Sequence, residues 1–127
     1  MRTLVVGNGA REHAIAEALA KSSQVYAFMK ARNPGIAKLS KSFAIGNLND
    51  FQKISEFVEK VSPDFVIVGP EDPLANGIAD AIQARGFSVI GPNKELARLE
   101  SDKGFCRELM RKYLEGGYPK FRVCESY

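Results

Sequence analysis

Thr3-Leu4-Val5-Val6-Gly7-Asn8-Gly9-Ala10-Arg11-Glu12-His13 runs from a short apolar segment directly into a glycine turn and out into a helix. Thr3 to Val6 shows no polar alternation, which marks a strand buried on both faces. From Arg11 the period changes. Ala14, Ile15, Ala18 and Leu19 recur at helical spacing, and Glu12, Glu17 and Lys21 take the opposite, solvent-facing side. A strand, a Gly-x-Gly turn and a helix start in immediate succession open an α/β unit.

The alternation continues outward. Gln24 to Met29 reads as the second strand, and Asn33-Pro34-Gly35 as a turn, because Pro presets one turn angle and Gly permits positive φ. A short helix and a short strand from Ser42 to Ile45 follow, the strand closed by Gly46. Asn49-Asp50 can cap a helix whose stripe is Phe51, Ile54, Phe57, Val58 and Val61, and Pro63 stops it. Asp64 to Val68 is the clearest strand and ends in Gly69-Pro70-Glu71. One further helix turns Leu74, Ile78, Ala81 and Ile82 inward, with Gly86 where a C-terminal cap belongs. Phe87 to Ile90 is the last strand of the series, ending in Gly91-Pro92. This order predicts right-handed crossovers and a parallel sheet with helices on both faces.

Beyond Gly91 the pattern changes. Lys94 to Glu100 and Ser101 to Glu115 read as consecutive helices with no strand between them. Gly116-Gly117 breaks the second, and Phe121-Arg122-Val123-Cys124 has the composition of a new strand. The expected division is therefore a sheet domain over 1–99 and the opening of another domain over 100–127.

Composition bounds the function. Hydrophobic residues are 45% and charged residues 26%, an ordinary globular balance rather than a disordered one. A net charge of +3, with the cations dispersed, is too mild to indicate nucleic acid but suits an anionic small molecule in one cleft. Cys106 and Cys124 lack metal-site spacing and read as reduced thiols, no metal ligands are expected, and no run approaches the roughly 20 apolar residues of a membrane span. A cytoplasmic location with no membrane partner is the expectation.

Ligands of open parallel sheets bind at the carboxyl ends of the strands. The loops there are Gly7 to Arg11, Lys30 to Gly35, Gly69 to Pro73 and Gly91 to Asn93, all rich in Gly, Pro, Asn and charge. In the first loop the glycines let backbone approach an anion, and the helix start offers N–H groups. The third glycine of a dinucleotide fingerprint is replaced by Glu12, and Met29-Lys30 stands where a ribose-binding acid belongs, so NAD is disfavoured. Arg11 is a cation at a helix start, against the dipole, and could fork onto a phosphate. His13, with no metal-spaced partner, reads as structural. Glu71, stiffened between Pro70 and Pro73, could accept from sugar hydroxyls or an amine, or be a solvated loop acid beside Asp72. Lys103, beside Gly104 early in a helix, could reach a nucleotide phosphate, or be an ordinary surface lysine.

Taken together, Gly7-Asn8-Gly9-Ala10-Arg11-Glu12-His13-Ala14, Asn33-Pro34-Gly35, Val68-Gly69-Pro70-Glu71-Asp72-Pro73-Leu74, Gly91-Pro92 and Leu99-Glu100-Ser101-Asp102-Lys103-Gly104-Phe105 resemble the phosphoribosylamine–glycine ligase family. The resemblance covers nearly the whole chain and only the beginning of the family's length. It implies a Rossmann-like (pre-ATP-grasp) domain over 1–99, with 100–127 as a linker and the start of an ATP-grasp domain. It implies substrate-binding roles for Gly7, Asn8, Gly9, Ala10, Arg11 and Glu71, a nucleotide-binding role for Lys103, and no catalytic residue within this stretch. The implied reaction belongs to de novo purine synthesis and joins glycine to 5-phosphoribosylamine with ATP and Mg or Mn. The remaining ATP-grasp and C-terminal domains are expected beyond Tyr127, so the 127-residue chain alone is expected to be inactive. The rival readings are a stand-alone phosphosugar or nucleotide sensor, an NAD-binding domain, and the matching domain of a sister ligase.

Overall fold

Apolar segments too short to bury themselves pair side by side, and helices close both faces. The computed structural model of the protein describes residues 1–124. Strands β1 (Arg2–Val6), β2 (Gln24–Met29), β3 (Ser40–Ile45), β4 (Phe65–Val68) and β5 (Val89–Ile90) form one five-stranded sheet in the order β3-β2-β1-β4-β5. Every pairing is parallel. This is a Rossmann-like α/β fold. Winding reverses between β1 and β4, which places the topological switch point between them.

Helices α1 (Ala10–Ala20) and α2 (Pro34–Leu39) cover one face, where Ala16 and Ile36 meet Val5, Val25, Ala27 and Met29. The other face is covered by α3 (Phe51–Val61), α4 (Glu71–Ala75), α5 (Ile78–Gln83) and α6 (Lys94–Ser101). There Ile54, Phe57, Val58 and Val61 pack on Leu4, Val6, Phe28 and Val66. β1 is enclosed from Thr3 to Val6, as its unbroken apolar run requires. The tail helix α7 (Lys103–Tyr113) buries no residue fully, and Asp102 separates it from α6 while capping its start through Phe105 N–H at 2.9 Å.

Three sequence expectations are corrected. Glu12 is buried at 4% exposure, whereas Ala14 and Ala18 face solvent: the true buried line of α1 runs through Glu12 and Ala16. The single helix expected over 74–82 is two, because Gly77 at φ +97° interrupts it after Asn76, and Ala79 rather than Ala81 is fully buried. Finally, 121–124 form no strand and add none to the five-stranded sheet. No helix among the described residues is long and apolar enough to cross a membrane.

Candidate functional site

Strands β1, β3 and β4 each hand the chain to the carboxyl edge through a glycine that extends the ladder by one bond. Gly7 N–H donates to Phe28 O at 2.9 Å, Gly46 N–H to Met29 O at 2.9 Å, and Gly69 N–H to Val6 O at 3.1 Å. The loops after β1, β3 and β4 therefore leave the sheet one bond beyond their strands.

Asn8 ties the first two loops together. Its Oδ1 accepts Lys30 N–H at 3.1 Å, and its carbonyl accepts Asn33 Nδ2 at 3.0 Å. Asn33 in turn caps α2 by accepting the Gly35 and Ile36 amides. Asp50 caps α3 through Lys53 N–H at 3.2 Å. The start of α1 differs: its N-cap is Gly9, extended at φ −80° and ψ −176°, with no side chain to occupy the first amides. Those N–H groups, with the helix dipole behind them, are suited to an anion.

Arg11 and Glu12 join the β1 loop to the β4 loop across the switch point. Glu12 Oε2 accepts Gly9 N–H at 2.7 Å, and its Oε1 accepts Arg11 Nε at 3.2 Å. Arg11 Nη2 also donates to the Gly69 carbonyl and to Glu71 Oε2, the latter at 3.3 Å. The hydrogen bond to Glu12 first, and that to Glu71 second, raise the guanidinium above its ordinary pKa. The Glu71 carboxyl is held below the usual carboxylate range, first by its own backbone N–H and then by Arg11. Arg11 Nη1 has no hydrogen-bond partner among the described residues and remains available to a ligand.

Inside these loops lies a cleft of about 260 Å³. Asn8, Gly9 and Glu12 form its β1 wall, Lys30 its β2 wall, Asn47, Leu48 and Asn49 its β3 wall, and Pro70, Asp72 and Pro73 its β4 wall. That volume falls a little below the range of about 300–1,000 Å³ usual for small-molecule sites. Amide donors, an ammonium, carboxamides and carboxylates facing one space suit a small anion bearing hydroxyl groups. A larger hollow of about 460 Å³ runs along α7 between Phe105, Glu108, Leu109, Arg111 and Lys112, but no strand-end loops converge on it.

Of the residues singled out in the sequence, Asn8 and Gly9 line the cleft. Gly7, at φ +126°, sits behind them against Glu12 and Pro70. Ala10 opens α1 and is exposed, while Arg11 and Glu71 pair outside the lining as exposed side chains. Lys103 opens α7, exposed, and is not part of the lining. His13 packs its ring on Gly35. Sequence reasoning missed Asn47 and Leu48 and saw Asn49 only as a helix cap. The available signal was Gly46, which closes β3 as Gly7 closes β1. It took Asp72 as a solvated neighbour or a cap for the next helix; Asp72 is exposed and also borders the cleft. Among the described residues no three His, Cys, Asp or Glu side chains gather in a way that could hold a metal.

Residues 1–100 match the family described as phosphoribosylglycinamide synthetase, N domain. The chain belongs to this family. As a phosphoribosylglycinamide synthetase N domain it has relatives above 40% identity. It is 46% identical to the phosphoribosylamine–glycine ligase of Methanopyrus kandleri over 130 residues, covering 99% of this chain and 29% of that one. Against the phosphoribosylamine–glycine ligase of Methanocaldococcus jannaschii the identity is 43%, covering 100% of this chain and 29% of the relative. The chain thus spans about 29% of the length of these relatives. Among solved structures, glycinamide-RNase-transformylase T from Mycobacterium tuberculosis superposes with a TM-score of 0.72 at 17% identity, over 90% of this chain and 35% of that one. N5-carboxyaminoimidazole synthetase from Staphylococcus aureus, complexed with ADP, gives 0.72 at 12% identity, over 87% and 29%. These two likenesses concern the fold.

Proposed function

We propose that this N domain holds 5-phosphoribosylamine for an ATP-dependent ligase that joins it to glycine in purine synthesis. The observation that carries the reading is the strand-end cleft itself, where the start of α1, with no N-cap side chain on its first amides, adjoins Arg11 and hydroxyl-binding groups line the remaining walls. Family membership supports the same substrate class.

In this reading the amides of Ala10 and Arg11 and the free Nη1 of Arg11 take the phosphate. Asn8, Asn47, Asp72 and Lys30 face the sugar, and Glu71 stands beside it as the partner of Arg11. Bound in this way the amine presents its lone pair to an activated glycyl carbonyl. The C–N bond forms as phosphate leaves, and catalysis is positioning plus charge stabilisation.

ATP supplies that activation in the intact ligase. Lys103 offers the nucleotide an exposed ammonium at a helix start whose Phe105 amide is already taken by Asp102. The described residues offer a metal no set of three ligating side chains. Lys103 is proposed to approach the nucleotide phosphates, with the division near residue 100 separating it from the sugar-phosphate cleft.

Calorimetric titration with ribose 5-phosphate tests the proposal. Saturable binding, weakened about tenfold or more in Arg11→Ala, is expected, because a hydrogen bond to a charged group contributes about 1.5–3 kcal/mol. Saturable NADH binding with no response to ribose 5-phosphate would overturn it.

A further inference from the structure

We propose that Glu12 is the positioning residue of this cleft, acting through Arg11; the inference rests on the sugar-phosphate reading above. A buried acid needs a reason, since an unpaired charge away from water is costly. Glu12 is 4% exposed, and its two carboxylate oxygens are divided between Gly9 N–H and Arg11 Nε.

Adjacent residues on a helix do not face one another. Arg11 must therefore turn back over the start of α1 to reach Glu12. That turned-back pose is the one that sets Nη2 on Gly69 O and Glu71 and leaves Nη1 free. Glu12 thus selects the direction in which the guanidinium points.

The surrounding backbone is cleared for this side chain. A Cβ on Gly7 would lie 2.6 Å from Glu12 Cγ, one on Gly9 2.9 Å from Oε2, and one on Gly69 2.2 Å from Oε1. Glycines from both sides of the switch point make room for one carboxylate. It fixes the anion-facing amides after β1 and the acidic loop after β4 in a single arrangement.

Glu12→Gln separates this role from mere space filling. The amide has the same shape and its oxygen can keep Gly9 N–H, but its NH2 meets Arg11 Nε–H donor to donor. The readout is the Arg11 Nε–H resonance of the 127-residue chain, assigned by its loss in Arg11→Lys. In wild type it should exchange with water at least tenfold more slowly than that of the exposed Arg32. In Glu12→Gln it should exchange as fast as Arg32.

Ribose 5-phosphate should bind Glu12→Gln about tenfold more weakly than wild type, and Glu12→Gln/Arg11→Ala no more weakly than Arg11→Ala alone. Fast exchange at Arg11 already in wild type would overturn the proposal. So would an unchanged resonance in Glu12→Gln, or losses that add in the double variant. A slow resonance lost in Glu12→Gln, with no ribose 5-phosphate binding by wild type, would support the control of Arg11 by Glu12 and sink the substrate reading instead.

Discussion

The Glu12 carboxylate occupies the space that any side chain at position 69 would need: a Cβ on Gly69 would fall 2.2 Å from Oε1. Gly69 has no positive φ, so backbone strain does not explain the glycine. The need is steric. Gly69→Ala should destabilise the chain by about 1–3 kcal/mol, the usual cost of overpacking. Its urea midpoint should fall, and Glu12→Ala/Gly69→Ala should lose less than the sum of the single changes. Strict additivity would show that the two residues do not compete for space.

A second interlock joins α1 to α2. A Cβ on Gly35 would lie 2.1 Å from both Cε1 and Nε2 of His13. Gly35 lies in the first turn of α2, where alanine is intrinsically the better helix former. Gly35→Ala should therefore destabilise wild type, yet be neutral or stabilising by about 0.5–1 kcal/mol in a His13→Ala background. The same sign in both backgrounds would contradict the packing account.

These interlocks mark the limit of what the sequence discloses. The parallel sheet and the α3 stripe are legible because Ile54, Phe57, Val58 and Val61 repeat at helical period, and Val5 and Val66 sit in unbroken apolar runs. Glu12 is misread for the same reason: periodicity assigns an acid to solvent, and only the three-dimensional meeting of Gly7, Gly9 and Gly69 shows that it points inward. The β3 contribution to the cleft is hidden because Asn47 and Asn49 have the composition of any loop. The break at Gly77 is hidden because Leu74 and Ile78 keep helical spacing across it. Loop glycines and strand ends point to the cleft at the carboxyl edge, but not to the side chains that line it.

Glu71 gives a pH dependence with a definite sign. Its folded-state pKa lies below the ordinary value of 4.5, chiefly through its own backbone N–H and then through Arg11. A depressed carboxyl contributes stability above the unfolded-state value and loses it as pH falls through the folded-state value. Wild type should thus be more stable than Glu71→Gln at neutral pH, and the two urea midpoints should converge as pH falls through the folded-state value. The difference should be small, because both partners are exposed and solvent screens them. A gap that widens on acidification would contradict the ion pair.

Ile54 tests the core beneath the site. It is fully buried on α3 against the sheet. Ile54→Ala should cost about 2–5 kcal/mol by removing buried methyl groups and leaving a cavity. A loss below about 1 kcal/mol, measured by urea denaturation, would mean that this face is not packed as described.

The most direct test of the sugar-phosphate cleft is an amide-resolved NMR titration of the chain with ribose 5-phosphate. The account predicts saturable shifts concentrated at Asn8 to Glu12, Lys30, Asn47 to Asn49 and Glu71 to Asp72, with Lys103 to Phe105 unmoved. Shifts confined to the tail helix, or none at the strand-end loops at saturating ligand, would contradict it.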